Sequence, residues 1–286
     1  MKIVITGASG QLGSELHELL GNDTDKECYF LDRKQLPLDK IILIQDILGM
    51  YQPDLIIHAG AYTAVDKAEE EYEIANLVNH VACEEIAQYC RIHGAKLIAI
   101  STDYVFDGNS ALPLTEDAPT APINAYGMTK LDGEKAIQKW CPEAIIIRTS
   151  WVYSAYGKNF VKTMCRLMAE RDTVNVINDQ IGSPTYAKDL ANAILKIADA
   201  PDWKAGIYHY SNEGEISWYD FAVAIRDAHS FDCQVKPIPT SAYPTAAQRP
   251  KYSLLDKSKI KAAYAVEVPD WRYSLAKMLA EEIKNQ

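Results

Sequence analysis

The sequence predicts an α/β protein built on a doubly wound parallel sheet, with a second, smaller lobe of mixed α/β structure. Three observations predict it. Through the first half of the chain, short continuous apolar runs rich in β-branched residues alternate with segments of helical period. A cluster of three glycines stands directly after the first of these runs. Beyond about Ser150 the alternation loosens, and Pro and Gly interrupt it at Gly182-Ser183-Pro184, Lys236 to Pro239 and Tyr243-Pro244. Strands that are apolar throughout are covered on both faces, as in a parallel sheet between two layers of helices.

Lys2 to Thr6 reads as a buried strand that ends at Gly7. Gln11 to Leu20 carries Leu12, Leu16, Leu19 and Leu20 at helical spacing. Cys28 to Leu31 and Asp54 to His58 read as the second and third strands, the latter following Pro53. Asp66 to His93 reads as one long helix rich in Ala and Glu, stopped by Gly94. Lys96 to Ile100 is the fourth strand, Tyr126 to Trp140 a helix, and Ala144 to Arg148 the fifth strand. In the second half, helices are expected at Lys188 to Ala198, Ser217 to Ala228 and Trp271 to Lys284.

A chain of 286 residues corresponds to about two domains, and a 48% hydrophobic content excludes a disordered chain. The net charge of −10 argues against a nucleic-acid or anionic-membrane partner held by bulk charge. An anionic small ligand would need local Arg, Lys or backbone N–H groups. The six cysteines are scattered and form no CxxC pair, which reads as reduced thiols in a cytoplasmic protein rather than a disulfide or zinc framework. The opening Met1 to Thr6 is too short for a secretory apolar region, and Ile41 to Ile44 far too short for a membrane span.

Gly7-Ala8-Ser9-Gly10-Gln11-Leu12-Gly13 has the form GxxGxxG and stands between the first strand and the first helix. Glycines there allow a tight turn and close approach of a pyrophosphate, and the helix N-terminus offers free N–H groups. The reading is a Rossmann-type dinucleotide-binding domain over residues 1-150 and a mainly substrate-binding lobe over 151-286, with the chain crossing between them. Asp32-Arg33 follows the second strand. The acid fits adenosine ribose hydroxyls and NADH, the Arg fits a 2′-phosphate and NADPH, so both cofactors stay open.

Tyr126 and Lys130 are four residues apart on one helix face. A neighbouring ammonium stabilises phenolate, so the pair suits proton transfer to a carbonyl oxygen as hydride reaches its carbon. Ser101 and Thr102 end the fourth strand, where the sites of parallel sheets form, and either hydroxyl suits a bond to that carbonyl.

Together these residues resemble the extended short-chain dehydrogenase/reductases, and within them the reductases of dTDP-linked 4-keto-6-deoxy sugars. The resemblance also rests on Ala61 to Glu69, Ser101 to Gly108, Tyr126 to Glu134, Arg148 to Tyr153, Asn178 to Thr185 and Arg249-Pro250. It implies NADPH- or NADH-dependent reduction of the C4 keto group of dTDP-4-dehydro-L-rhamnose. It further implies Thr102, Tyr126 and Lys130 as the catalytic set, with Tyr126 and Lys130 also touching the cofactor. Gly7, Gly10, Gln11 and Leu12 would hold the pyrophosphate. Asp32, Arg33 and Asp39 would lie at the adenosine end, and Ala59, Gly60, Ala61 and Tyr62 along the cofactor. Substrate would meet Thr102, Asp103, Tyr104, Trp151 and Arg249, the last at its diphosphate. Some relatives use magnesium at a subunit interface, and Glu15 matches one such position, but the chemistry needs no metal and no metal site is expected. The partners implied are the dTDP-sugar and a second copy in a homodimer. A nucleotide-sugar epimerase or dehydratase, a reductase of another dTDP-4-keto-6-deoxy sugar, or a non-catalytic regulatory subunit would keep the same fold. Asp103-Tyr104 in place of an Asp-Glu pair speaks against a dehydratase, and the presence of Tyr126 against a regulatory subunit.

Overall fold

Strand β1 (Lys2–Thr6) lies inside a six-stranded sheet whose strands all run parallel. The computed structural model describes residues 1–21 and 24–284. β2 (Glu27–Leu31) pairs with one edge of β1. On the other side follow β3 (Leu55–His58), β4 (Lys96–Thr102) and β5 (Ile145–Thr149), and the strand Gly206–His209 closes the far edge. Facing positions are apolar on both partners, as at Val4 and Ile56, Ile57 and Ile98, and Ile100 and Ile147. Burial of these β-branched chains on both faces is what makes a run without alternation a stable strand.

Helices cover both faces. On one, α1 (Gln11–Leu20) and the helix Ala187–Ala198 bring Leu12, Leu16, Leu190 and Ile194 over Ile3, Ile5 and Ile57. On the other, the helices Ile44–Tyr51, Ala82–His93 and Ala125–Trp140 bring Leu48, Ile86 and Ile137 over Val4, Ile56 and Ile146. The chain crosses to β2 on one side of β1 and returns to β3 on the other. The loops after β1 and β3 therefore part and leave a crevice at the carboxyl ends of the strands.

The chain re-enters this layer after Ser150. The strand Gly206–His209, the helix Ala187–Ala198, and Ile260 and Tyr264 of the short helix Ser258–Tyr264 all belong to it. The edge of β5 explains the return, because its ladder is completed by Ile207 and Tyr208 opposite Ile146 and Ile147. The other lobe packs Phe221, Ile225, Trp271 and Met278 around a parallel pair of strands, Thr173–Ile177 and Gln234–Ile238. Its helix Trp218–His229 begins with a reciprocal cap between Ser217 and Asp220.

The single helix expected over Asp66 to His93 is instead four pieces: Val65–Ala68, Tyr72–Asn76, a π turn at Leu77–Val81, and Ala82–His93. The break falls on Glu69-Glu70-Glu71, where acids are recruited elsewhere. The Glu69 carboxylate accepts the Ala125 N–H at 2.9 Å, and Glu71 accepts the Tyr62 hydroxyl at 2.5 Å. The stop at Gly94 is as expected, in the left-handed region at φ +71° with its N–H on the Cys90 carbonyl. The helices Ile44–Tyr51 and Phe160–Glu170 carried no sequence expectation. Among the described residues, no disulfide joins two cysteines. Among the described residues, no helix is long and apolar enough to cross a membrane.

Candidate active site

α1 opens on the crevice with Gly10 as its N-cap. No side chain caps it, and no acid occupies its first turn. Its first N–H groups and the positive end of its dipole are thus available to an anion. The glycines beside it have distinct roles. A Cβ on Gly7, which sits at φ +69°, would stand 2.6 Å from the Gly60 Cα, and one on Gly13 would stand 2.3 Å from the Gly7 carbonyl oxygen. Gly7 lets the turn close against the loop after β3, and Gly13 lets α1 close against the turn. A Cβ on Gly10 would meet only the Gly7 oxygen, at 3.1 Å, so Gly10 leaves the approach itself open.

A cavity of about 810 Å³ runs from this turn to the ends of β4 and β5. Gly7, Gly10, Gln11 and Leu12 line it, as do Ala59, Gly60, Ala61 and Tyr62. Arg33 and Asp39 lie on its wall, paired at 3.6 Å, with the Arg33 side chain 82% exposed. At the other end stand Thr102, Asp103, Tyr104, Tyr126, Lys130 and Trp151.

β4 runs two residues past its expected end, so Thr102 is its last residue and Asp103–Val105 turns sharply. The Thr102 hydroxyl accepts the Tyr104 N–H at 3.2 Å and donates to Asp103 Oδ1 at 3.1 Å. The helix Ala125–Trp140 is capped by Asn124, whose side chain accepts the Gly127 N–H at 2.8 Å. A Cβ on Gly127 would stand 2.2 Å from the Tyr104 carbonyl oxygen. Glycine there lets the helix start press on the Asp103–Val105 turn, which sets Tyr126 against Thr102 and edge-on to Tyr104, ring centres 5.6 Å apart.

Burial pushes the Tyr126 phenol up to about 12, while the nearby Thr102 hydroxyl pulls it down. The expected lowering of Tyr126 by Lys130 is not found. Lys130 Nζ donates to the Ile100 carbonyl at 2.7 Å, and its charge acts on His58, Cys83 and Glu134. Burial together with that charge holds His58 down to about 3. At neutral pH Tyr126 is therefore a full phenol, the form that can give a proton.

Beneath the pair lies a buried network. Glu134 accepts from Arg148 at 2.7 and 2.9 Å and from the Ser101 hydroxyl at 2.5 Å, with both ionic side chains at most 3% exposed. Asn79, turned inward by the π turn, holds the Tyr62 backbone through both N–H (2.9 Å) and carbonyl (3.1 Å), and also reaches Thr129. Sequence reasoning missed Asn79, because a π turn has no periodic signature of its own.

Trp151 sits at φ +48°, a left-handed backbone unusual for a bulky residue. Its ring stacks on Trp218 at 3.8 Å and 16°. A Cβ on Gly182 would stand 3.0 Å from the Trp151 ring, so the Asn178 to Thr185 run supplies the bare backbone on which that ring rests. Trp218 and Lys158, the latter on the wall beside Gly157, were not foreseen.

Two expected residues lie away from the cavity wall. Asp32 turns its carboxylate onto its own loop, accepting the Lys34 and Gln35 N–H groups at 2.8 and 3.1 Å. Arg249, expected at a diphosphate, is clamped two-pronged on Asp66 at 2.6 and 3.1 Å. Glu15 lies on the far side of α1, buried, with Oε1 accepting the Ser154 hydroxyl at 2.6 Å. Carboxylate oxygens of Glu15, Glu18 and Glu281 lie within 4.8 Å of one another. The Lys188 ammonium contacts Glu18 at 2.9 Å and Glu281 at 3.0 Å, so the chain supplies the positive charge among these acids itself.

The family model described as the RmlD substrate binding domain matches residues 1–283. A dTDP-4-dehydrorhamnose reductase of Escherichia coli (strain K12) is 42% identical over 298 residues, covering 98% of each chain. Among solved structures, a dTDP-4-dehydrorhamnose reductase of Clostridium acetobutylicum superposes with a TM-score of 0.95 at 38% identity, over 98% of this chain and 99% of that one. One from Bacillus anthracis, solved in complex with NADP, superposes at 0.94 with 40% identity, over 98% and 99%.

Proposed function

The chain belongs to the RmlD substrate binding domain family, and from that premise we infer that it reduces the C4 keto group of dTDP-4-dehydro-L-rhamnose, giving dTDP-L-rhamnose. It is an NAD(P)H-dependent oxidoreductase. The observation that carries the residue roles is one cavity with an uncapped helix N-terminus at one end and Thr102, Tyr126 and Lys130 at the other.

The uncapped first turn of α1 fits a dinucleotide pyrophosphate, with Gly10, Gln11 and Leu12 around it. The bound dihydronicotinamide supplies a hydride to C4. Tyr126 gives its proton to the C4 oxygen as charge develops there, and Thr102 donates a hydrogen bond to the same oxygen. Lys130, held by the Ile100 carbonyl, places a positive charge under the site and would hold the nicotinamide ribose through its remaining N–H groups. Trp151, backed by Trp218, forms an apolar wall for the 6-deoxy sugar. Protein in the cytoplasm, acting as a homodimer, would meet substrate there.

The adenosine end favours NADPH. Asp32 is spent on its own turn, whereas the Arg33 guanidinium, 82% exposed and held only by Asp39 at 3.6 Å, can turn to a 2′-phosphate. With dTDP-4-dehydro-L-rhamnose as substrate, the protein is expected to oxidise NADPH with a higher kcat/KM than NADH. Arg33→Ala should shrink that ratio by about tenfold, through KM for NADPH, at about 1.4 kcal/mol for one lost charge-assisted contact. An unchanged ratio would remove Arg33 from the 2′-phosphate site. No oxidation of either cofactor would remove the reductase assignment.

A further inference from the structure

We propose that Asn124 is a positioning residue of the reaction. It ties the start of the helix that carries Tyr126 to the segment 247–253, and that segment fixes the proton donor against the wall for the sugar. The inference rests on the reductase reading, with Tyr126 as proton donor and Trp151 as that wall. Asn124 is 2% exposed, and both ends of its side chain are used. Its Oδ1 accepts the Gly127 N–H at 2.8 Å, which caps the helix Ala125–Trp140. Its Nδ2 donates to the Gln248 carbonyl at 2.7 Å. A cap needs only the first of these bonds, which serine or aspartate would make as well. The second bond joins the cap to a segment 124 residues further along the chain.

A second grip lies beside the first. The Asp66 carboxylate accepts the Ala247 N–H at 3.1 Å and the Arg249 guanidinium at 2.6 and 3.1 Å. Asp66 belongs to the short helix Val65–Ala68, and the next residue, Glu69, accepts the Ala125 N–H. Ala247, Gln248 and Arg249 are therefore each bound to groups that surround the start of the Tyr126 helix.

From there the segment runs to the other side of the site. Pro250 packs on Gly108, where a Cβ would stand 2.5 Å from the Pro250 Cα, and the Tyr252 N–H donates to the Gly108 carbonyl at 3.2 Å. The Lys251 carbonyl accepts the Ile181 N–H at 2.7 Å, and the Ser253 N–H donates to the Ile181 carbonyl at 2.8 Å. Ile181 precedes Gly182, the bare backbone under the Trp151 ring, and a Cβ on Gly182 would also stand 3.1 Å from Ser253 Oγ. One short segment thus grips the proton donor's helix at one end and the bed of the sugar wall at the other. Backbone bonds along its length make it a stiff spacer. What it holds constant is the gap across which Tyr126 reaches the C4 oxygen. Misplacement by about 1 Å across such a gap costs about 10²-fold in rate.

The test is Asn124→Ser and Asn124→Asp, with kcat and both KM values measured on dTDP-4-dehydro-L-rhamnose and NADPH. Each variant keeps an oxygen for the Gly127 N–H, and neither offers an N–H to the Gln248 carbonyl. Both should lose kcat by about 10- to 100-fold. KM for NADPH should stay near wild type, because the pyrophosphate end at α1 is untouched. Single-turnover oxidation of NADPH in the preformed ternary complex should fall by the same factor as kcat, placing the loss in the chemical step. Asp66→Asn loosens the second grip at a side chain 47% exposed, where core packing is not disturbed. It should lower kcat by about threefold, and it decides the matter should the Asn124 variants fail to fold. Ser and Asp variants that keep more than about half of wild-type kcat would make Asn124 a helix cap alone and overturn the proposal. So would a loss confined to KM, or an Asp66→Asn protein with wild-type kcat. Absence of turnover in wild type would instead sink the reductase reading beneath it.

Discussion

Tyr126→Phe is expected to lower kcat by about 10²- to 10⁴-fold while the affinity for the nicotinamide cofactor stays near that of wild type. The change removes one oxygen and leaves the ring. The edge-on contact with Tyr104 and the close packing of the helix start at Gly127 survive. What is lost is a phenol that holds its proton at neutral pH and stands beside Thr102. The hydride still arrives, but the developing oxyanion at C4 has only the Thr102 hydroxyl. Cofactor binding measured by fluorescence, set against turnover, separates the two. A Phe variant with more than about a tenth of wild-type turnover would mean that another group gives the proton.

Arg148→Ala is expected to cost about 3–5 kcal/mol of stability, since it leaves Glu134 buried and unpaired. Both partners are almost fully buried, and Arg148 also reaches the Glu116 carbonyl at 3.4 Å. Glu134 would keep only Ser101 as a donor. Pairing Arg148→Met with Glu134→Leu should recover most of the loss, because replacing both charges removes the desolvation cost with the attraction. Denaturant unfolding of the two proteins decides it. A single variant losing less than about 1 kcal/mol would mean that water reaches Glu134, as at a surface ion pair. The double variant should still be the slower enzyme, because Glu134 is one of the charges that raise Lys130 against burial.

The sheet was legible because its central strands carry unbroken apolar runs, so Ile3-Val4-Ile5 and Leu55-Ile56-Ile57 announce burial on two faces without reference to partners. The helix Asp66 to His93 was misread because composition alone favours a helix through Glu69-Glu70-Glu71, and only the tertiary structure shows those acids capping Ala125 and binding Tyr62. Ile44–Tyr51 was missed because its apolar run mixes fully buried Ile44 with Ile42 at 87% exposure, which blurs the period. At the site, residues fixed by motif spacing converge on one cavity: the glycine turn, Thr102, and the Tyr126–Lys130 pair. Interactions between distant segments were not legible. Asp66 and Arg249 are 183 residues apart in sequence, and nothing local reveals that they clamp each other. Nor does any local signal tell that Lys130 spends its charge on the Ile100 carbonyl, or that Trp218 would lie flat on Trp151.

The central claim is transfer of hydride to C4 of the sugar with the proton from Tyr126. It is tested most directly by turning over dTDP-4-dehydro-L-rhamnose with a dihydronicotinamide deuterated at its own C4, and locating the label by NMR. The account predicts deuterium at C4 of dTDP-L-rhamnose, one label per cofactor oxidised, with label transfer suppressed in Tyr126→Phe. Product without deuterium at C4, or cofactor retained and recycled while the label returns to it, would contradict a reductase and point to epimerase chemistry on the same fold.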